Sequence, residues 1–201
     1  MNAAAMIRPR TGDALLVVDV QRDFLPGGAL GVPGGDAVVP VLNRCLALFQ
    51  RLRLPVVLTR DWHPADHVSF AARGGPWPPH CVAGSAGAEL APDLAVPETA
   101  QRVSKGTLSD ADAYSGFEGT GLADRLRQRQ VRRLFIGGLA TDYCVRATVL
   151  DARREGFEVV LLRDAVRAVD VTPGDGDRAL AAMQAEGAVV VGAGELGDAA
   201  A

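Results

Sequence analysis

Apolar positions along this chain fall into short continuous runs, separated by longer stretches in which they recur every third or fourth residue. Ala14-Leu15-Leu16-Val17-Val18 and Leu134-Phe135-Ile136 leave no polar face, so each is predicted to be a strand covered on both sides, as in a parallel sheet. Pro55-Val56-Val57-Leu58-Thr59 repeats the pattern, and residues 102–105, 158–162 and 188–191 add three more strands. Between the first two runs, Val38, Val39, Leu42, Leu46, Phe49 and Leu52 follow helical spacing behind Asp36 as a plausible N-cap. Pro40 falls in the first turn, where proline is tolerated. Further helices are predicted over residues 119–130, 143–155 and about 177–186. Strands alternating with helices imply an α/β fold of three layers, α/β/α, around a doubly wound, mostly parallel six-stranded sheet.

That architecture turns scattered positions into neighbours, because ligands bind beyond the carboxyl ends of the strands. Asp19, Asp61, Lys105 and Cys144 all fall there. After the run at 134–136, Gly137 and Gly138 break the strand and Thr141 or Asp142 is predicted to cap a helix that carries Cys144 in its first turn. Free amides and the dipole at such a terminus favour a thiolate and can hold an oxyanion. A lone cysteine is more often a small buried apolar residue, so the decision rests on its company. A thiol nucleophile needs a base, and Asp19 is a candidate. Lys105 could hold that carboxylate, so its removal is expected to cost rate and little stability.

The stretch from Pro64 to Pro97 loses periodicity and concentrates proline and glycine, the mark of a functional or disordered loop. Asp61-x-His63 places a carboxylate and an imidazole on one extended segment, and His80 could complete a set from that loop. Two histidines and one carboxylate suit a divalent ion, with zinc first and iron or manganese as alternatives. Only three histidines exist, so two of them in this arrangement carry weight. His67 is open between a fourth ligand, a support for the other ligands and a surface histidine. Cysteine acyl transfer does not itself require a metal, which assigns the ion to orienting the substrate.

Composition narrows the classes. With 201 residues and 48% hydrophobic content the chain is expected to form one domain over residues 1–201. A net charge of -3 argues against nucleic acid or an anionic membrane as partner. Arg125, Arg127, Arg129, Arg132 and Arg133 are expected to be the solvated end of a helix and the turn after it. No apolar run approaches the roughly 20 residues of a membrane span, and residues 1–10 lack a signal-peptide core, so cytoplasm is the expected compartment. Three cysteines without CxxC spacing suggest neither a disulfide framework nor a thiolate cluster, and Cys45 shares the apolar face of the first helix. Glycines 27, 28, 31, 34 and 35 miss the GxGxxG spacing of a dinucleotide site.

The motifs Asp19-Val20-Gln21-Arg22-Asp23-Phe24, Arg60-Asp61-Trp62-His63-Pro64, Trp77-Pro78-Pro79-His80-Cys81, Lys105-Gly106, Tyr114-Ser115-Gly116-Phe117-Glu118 and Ala140-Thr141-Asp142-Tyr143-Cys144-Val145 occur in that order. In them the chain resembles the nicotinamidases, or pyrazinamidases, of the isochorismatase-like cysteine hydrolases, from about Ala14 to Asp170. The resemblance implies a Rossmann-like hydrolase fold and hydrolysis of nicotinamide, and of pyrazinamide, in NAD salvage. It implies Asp19, Lys105 and Cys144 as catalytic triad and Asp61, His63 and His80 as metal ligands. It also implies a cis peptide before Ala140, an oxyanion hole from the Ala140 and Cys144 amides, and Phe24, Trp77 and Tyr114 around a small-molecule substrate. Arg22 departs from the asparagine common in the family, which bears on the pocket mouth. Oligomeric state stays open. The rival is a metal-independent isochorismatase or N-carbamoyl amidase of the same superfamily, which would not need Asp61, His63 and His80 together.

Overall fold

The computed structural model describes residues 6–197, so the first five and last four residues of the expected 1–201 domain lie outside the described residues. Six strands form one sheet: β1 (Asp13–Val18), β2 (Val56–Asp61), β3 (Gln101–Lys105), β4 (Arg133–Leu139), β5 (Glu158–Arg167) and β6 (Val189–Val191). Their order is β3-β2-β1-β4-β5-β6, and every pairing is parallel, where a mostly parallel sheet was expected. Four helices cover it: α1 (Val38–Arg51), α2 (Leu122–Gln128), α3 (Arg146–Arg154) and α4 (Asp175–Ala185).

The continuous apolar runs explain the layering. In β1, Leu15 and Val17 pack into the core beneath α1 with Leu42, Leu46 and Phe49, while Ala14, Leu16 and Val18 pack on the other side with Leu126, Val149 and Met183 of α2, α3 and α4. Alternate residues of a strand point to opposite faces, so a strand buried on both faces needs apolar residues at every position. The predicted stripe of α1 is buried from Val38 to Phe49, with Cys45 within it, while Leu52 falls just past the end of the helix and is only partly buried.

Some boundaries moved. Asp36 does not cap α1; it lies in a short 3-10 turn, Gly35–Ala37, and α1 follows Ala37 without a side-chain cap. β5 runs five residues past the predicted Leu162, and its extension pairs with β4 after a register shift. Arg133, read both as the end of the basic cluster and as the first residue of a strand over residues 133–138, belongs to the strand. It opens β4 opposite Asp13 of β1 and binds that carboxylate at 2.6 and 2.9 Å. Among the described residues, no helix is long and apolar enough to cross a membrane.

The strand order reverses between β1 and β4, and ligands bind in the crevice that such a reversal opens at the carboxyl end. Asp19 follows β1 there, and the turn bearing Cys144 follows β4.

Candidate active site

Parallel register does the first part of the assembly. β2 and β3 place Asp61 directly opposite Lys105, each the last residue of its strand. The lysine ammonium reaches into the crevice fully buried, 2.5 Å from Asp61 Oδ1, 3.0 Å from Asp19 Oδ2 and 3.5 Å from Cys144 Sγ. It also donates to the Ala113 carbonyl at 3.1 Å. Burial alone would lower its pKa, but Asp19 and Asp61 together raise it well above the ordinary lysine value. Lys105 is therefore a fixed cation that joins the three other groups.

The two carboxylates beside it differ. Burial would lift the Asp61 carboxyl, but Lys105 and His63 hold it below the usual carboxylate range. Asp19 is raised, by burial and by the charge of Asp61, against the pull of Lys105 and the Thr59 hydroxyl. Asp19 is thus the better proton acceptor of the pair. Thr59 Oγ1 donates to Asp19 Oδ1 at 2.6 Å, while Oδ2 is the one buried side-chain oxygen among the described residues with no hydrogen bond. Oδ2 faces the Lys105 ammonium at 3.0 Å, and an Asp19 oxygen, Cys144 Sγ and an Asp61 oxygen lie within 4.8 Å of one another.

Cys144 sits in a π-type turn, Thr141–Val145, that leads into α3, so the helix starts later than predicted. Neither Thr141 nor Asp142 caps it: Ala140 is the N-cap, and Asp142 instead accepts the Val169 and Asp170 N–H groups at 3.0 and 2.9 Å. Burial pushes the Cys144 thiol well above its ordinary value, and the charges of Asp19 and Asp61 add to this against the pull of Lys105, which works against the expected stabilisation of the thiolate by the helix end. The Leu139–Ala140 peptide is cis, as the resemblance implied. The Ala140 carbonyl accepts the N–H groups of Tyr143 and Val145, both at 3.1 Å, and passes over that of Cys144.

Asp61, His63 and His80 converge with one ligand atom each inside the same 4.8 Å limit. His63 Nδ1 bonds the Gly106 carbonyl at 2.9 Å and His80 Nδ1 bonds the Pro78 carbonyl at 2.8 Å. A ring that donates from Nδ1 to a backbone carbonyl keeps the lone pair on Nε2, the tautomer found in metal-binding histidines. Gly106 is required for this approach: a Cβ there would stand 2.4 Å from the His63 ring. Gln21 fixes Asp61 by exchanging two hydrogen bonds with its backbone, at 2.7 and 2.8 Å. His67 is fully buried, which removes its surface reading. Its ring stacks on His63 at 4.1 Å, and both its nitrogens are engaged, with Ser69 Oγ at 2.7 Å and the Ala111 carbonyl at 3.1 Å.

One narrow cavity opens onto these groups. Cys144, Ala140, Asp61 and His80 line it together with Phe24, Trp77 and Tyr114. Leu30, Val32, Tyr143 and Val169 complete the wall, and sequence reasoning assigned none of them. Trp77 donates its indole N–H to Tyr114 Oη at 2.9 Å and meets the Tyr143 ring edge-on at 5.2 Å. Arg22 is exposed and lines no part of this wall.

The isochorismatase domain profile matches residues 13–195. The chain belongs to the isochorismatase family. This isochorismatase-family chain is 41% identical over 198 residues to the nicotinamidase of Escherichia coli, covering 88% of this chain and 93% of that one. It is 41% identical over 180 residues to the nicotinamidase/pyrazinamidase of Mycobacterium tuberculosis, covering 85% and 92%. The pyrazinamidase of Pyrococcus horikoshii, solved in complex with zinc, superposes with a TM-score of 0.87 at 52% identity, over 90% of this chain and 99% of that one. PnC1 from L. infantum, solved in complex with nicotinate, gives a TM-score of 0.87 at 41% identity over 93% and 96%.

Proposed function

We propose that this isochorismatase-family chain is an amidohydrolase that converts nicotinamide, and pyrazinamide, to the acid and ammonia through a thioester on Cys144. The observation that carries the reading is the cavity where the Cys144 thiol, Asp61 and His80 of the Asp61–His63–His80 ligand set, and the aromatic side chains of Phe24, Trp77 and Tyr114 meet. Relatives at 41% identity that carry the name nicotinamidase support it, as does the structural neighbour holding nicotinate.

Asp19 Oδ2 takes the proton of the Cys144 thiol, and Lys105 offsets the negative charge that the pair retains. The sulfur attacks the carboxamide carbon, and the Ala140 and Cys144 N–H groups stabilise the oxyanion. Asp19 returns its proton to the amide nitrogen, the carbon–nitrogen bond breaks and ammonia leaves. A water molecule then gives its proton to Asp19 and adds to the thioester; collapse of the second oxyanion frees the acid, and the thiol regains its proton. Asp61, His63 and His80 would hold a divalent ion, zinc by the donor set and by the zinc-bound neighbour. When bound, that ion supplies a Lewis-acid anchor for the pyridine nitrogen, which lies meta to the carbon bearing the carboxamide. Phe24 and Trp77 would enclose the ring, and fixing it over Cys144 can supply several kcal/mol of barrier lowering.

The test is ammonia and nicotinate release from nicotinamide. Cys144→Ala is expected to lower the rate by roughly three orders of magnitude or more while retaining nicotinamide binding. A chelator should suppress nicotinamide turnover, and benzamide, which lacks the ring nitrogen, should be a poor substrate with zinc present. Full activity of the chelated enzyme, or benzamide cleaved as fast as nicotinamide, would remove the anchoring role; turnover by the alanine variant would remove the nucleophile.

A further inference from the structure

The reaction makes no use of Asp23, yet its carboxylate joins two parts of the site. Asp23 Oδ2 accepts the N–H of Cys81 at 2.7 Å, and Cys81 follows His80. On the other side Asp23 Oδ1 accepts the Ala29 N–H at 3.3 Å, and its carbonyl accepts the Leu30 N–H at 2.9 Å. Phe24 comes next in the chain, and its carbonyl takes the Val32 N–H at 3.0 Å. Phe24, Leu30 and Val32 are one wall of the cavity. The bridge is closely fitted. Gly87 accepts the Asp23 N–H at 3.1 Å, and a Cβ on Gly87 would stand 2.1 Å from Asp23 Oδ2.

The geometry points to Asp23 as a positioning residue that links occupancy of the Asp61–His63–His80 site to closure of the Phe24–Leu30–Val32 wall around the ring. The inference rests on the metal reading proposed above. Holding His80 in place holds the Cys81 amide, and that amide orients the carboxylate from which the wall loop hangs. Such a coupling is reciprocal: what the ion gains for the ring, the ring gains for the ion. It also differs from coordination of the pyridine nitrogen, because it acts on any flat ring that fills the wall.

That difference supplies the test. In a Cys144→Ala background, which stops turnover, benzamide binding is titrated with and without zinc, and zinc binding is followed by competition with a chromophoric chelator. Benzamide has no ring nitrogen, so direct coordination cannot tighten it. With Asp23 intact, zinc should tighten benzamide roughly fivefold or more, and benzamide should tighten zinc by the same factor. Asp23→Asn keeps the shape but places an N–H₂ against an N–H, and Gly87→Ala pushes on the carboxylate without altering it. Each should bring the coupling factor close to one while both ligands still bind. Equal benzamide affinity with and without zinc, or coupling undiminished in both variants, overturns the linkage. Zinc that tightens nicotinamide but not benzamide overturns it while leaving ring-nitrogen anchoring intact, and failure of zinc to bind overturns both.

Discussion

At the scale of single residues, Lys105 is where burial changes an expectation drawn from sequence. Its loss was expected to cost rate and spare stability. Its ammonium is instead the fully buried partner of two carboxylates, so Lys105→Ala leaves uncompensated buried charge. Removing one partner of such a set costs about 3–5 kcal/mol. The sign with pH follows from Asp19, whose folded-state pKa burial already raises. A group raised above its unfolded value favours the folded state below that unfolded pKa and loses its contribution as pH rises. The alanine variant should therefore be inactive, and its stability deficit in urea unfolding should be larger at pH 8 than at pH 5. A variant as stable as wild type at pH 8 would mean that the lysine carries no structural charge.

At the scale of elements, the close contact of β1 with β4 sets the strictest demand. Val18 pairs with Gly138, whose φ is 137°, and a Cβ there would stand 2.0 Å from the Val18 carbonyl oxygen. Backbone cannot yield as a flexible side chain would, so Gly138→Ala should lower stability by more than about 4 kcal/mol. Gly119 has φ of 66° and nothing within 4 Å, so its alanine variant should lose only about 1–2 kcal/mol, the cost of a left-handed residue. Thermal unfolding of the two variants side by side checks the contrast, and equal losses would refute it. The same strands show what was legible. β1 and β4 read clearly because a strand buried on both faces leaves no polar positions. The extension of β5 through Arg163 and Asp164 did not, since those residues break the run. The cluster of Asp19, Asp61, Lys105 and Cys144 was legible as strand ends sharing one side of a sheet. That Lys105 faces Asp61 was not, because it depends on a register that no local pattern carries. Leu30, Val32 and Val169 escaped notice for a similar reason: each is an ordinary apolar loop residue until the fold brings it to the cavity. His67 could be placed only once its two nitrogens had partners.

At the scale of the whole molecule, the all-parallel sheet governs how the chain acquires activity. Its neighbouring strands join residues as distant as Asp13 and Arg133, 120 positions apart, and β3, β2, β1 and β4 each contribute one corner of the site. Contacts so remote in sequence are costly to close and form slowly, since loop entropy is lost before any packing returns it. No contiguous half of the chain holds both Asp19 and Cys144, so a partly folded intermediate has no partial site to offer. After dilution from denaturant, ammonia release should therefore reappear together with the global folding signal and with no earlier phase. Activity returning while the β1–β4 amides still exchange freely would contradict this. Contact order thus makes catalysis by this chain a late and all-or-none reporter of its own topology.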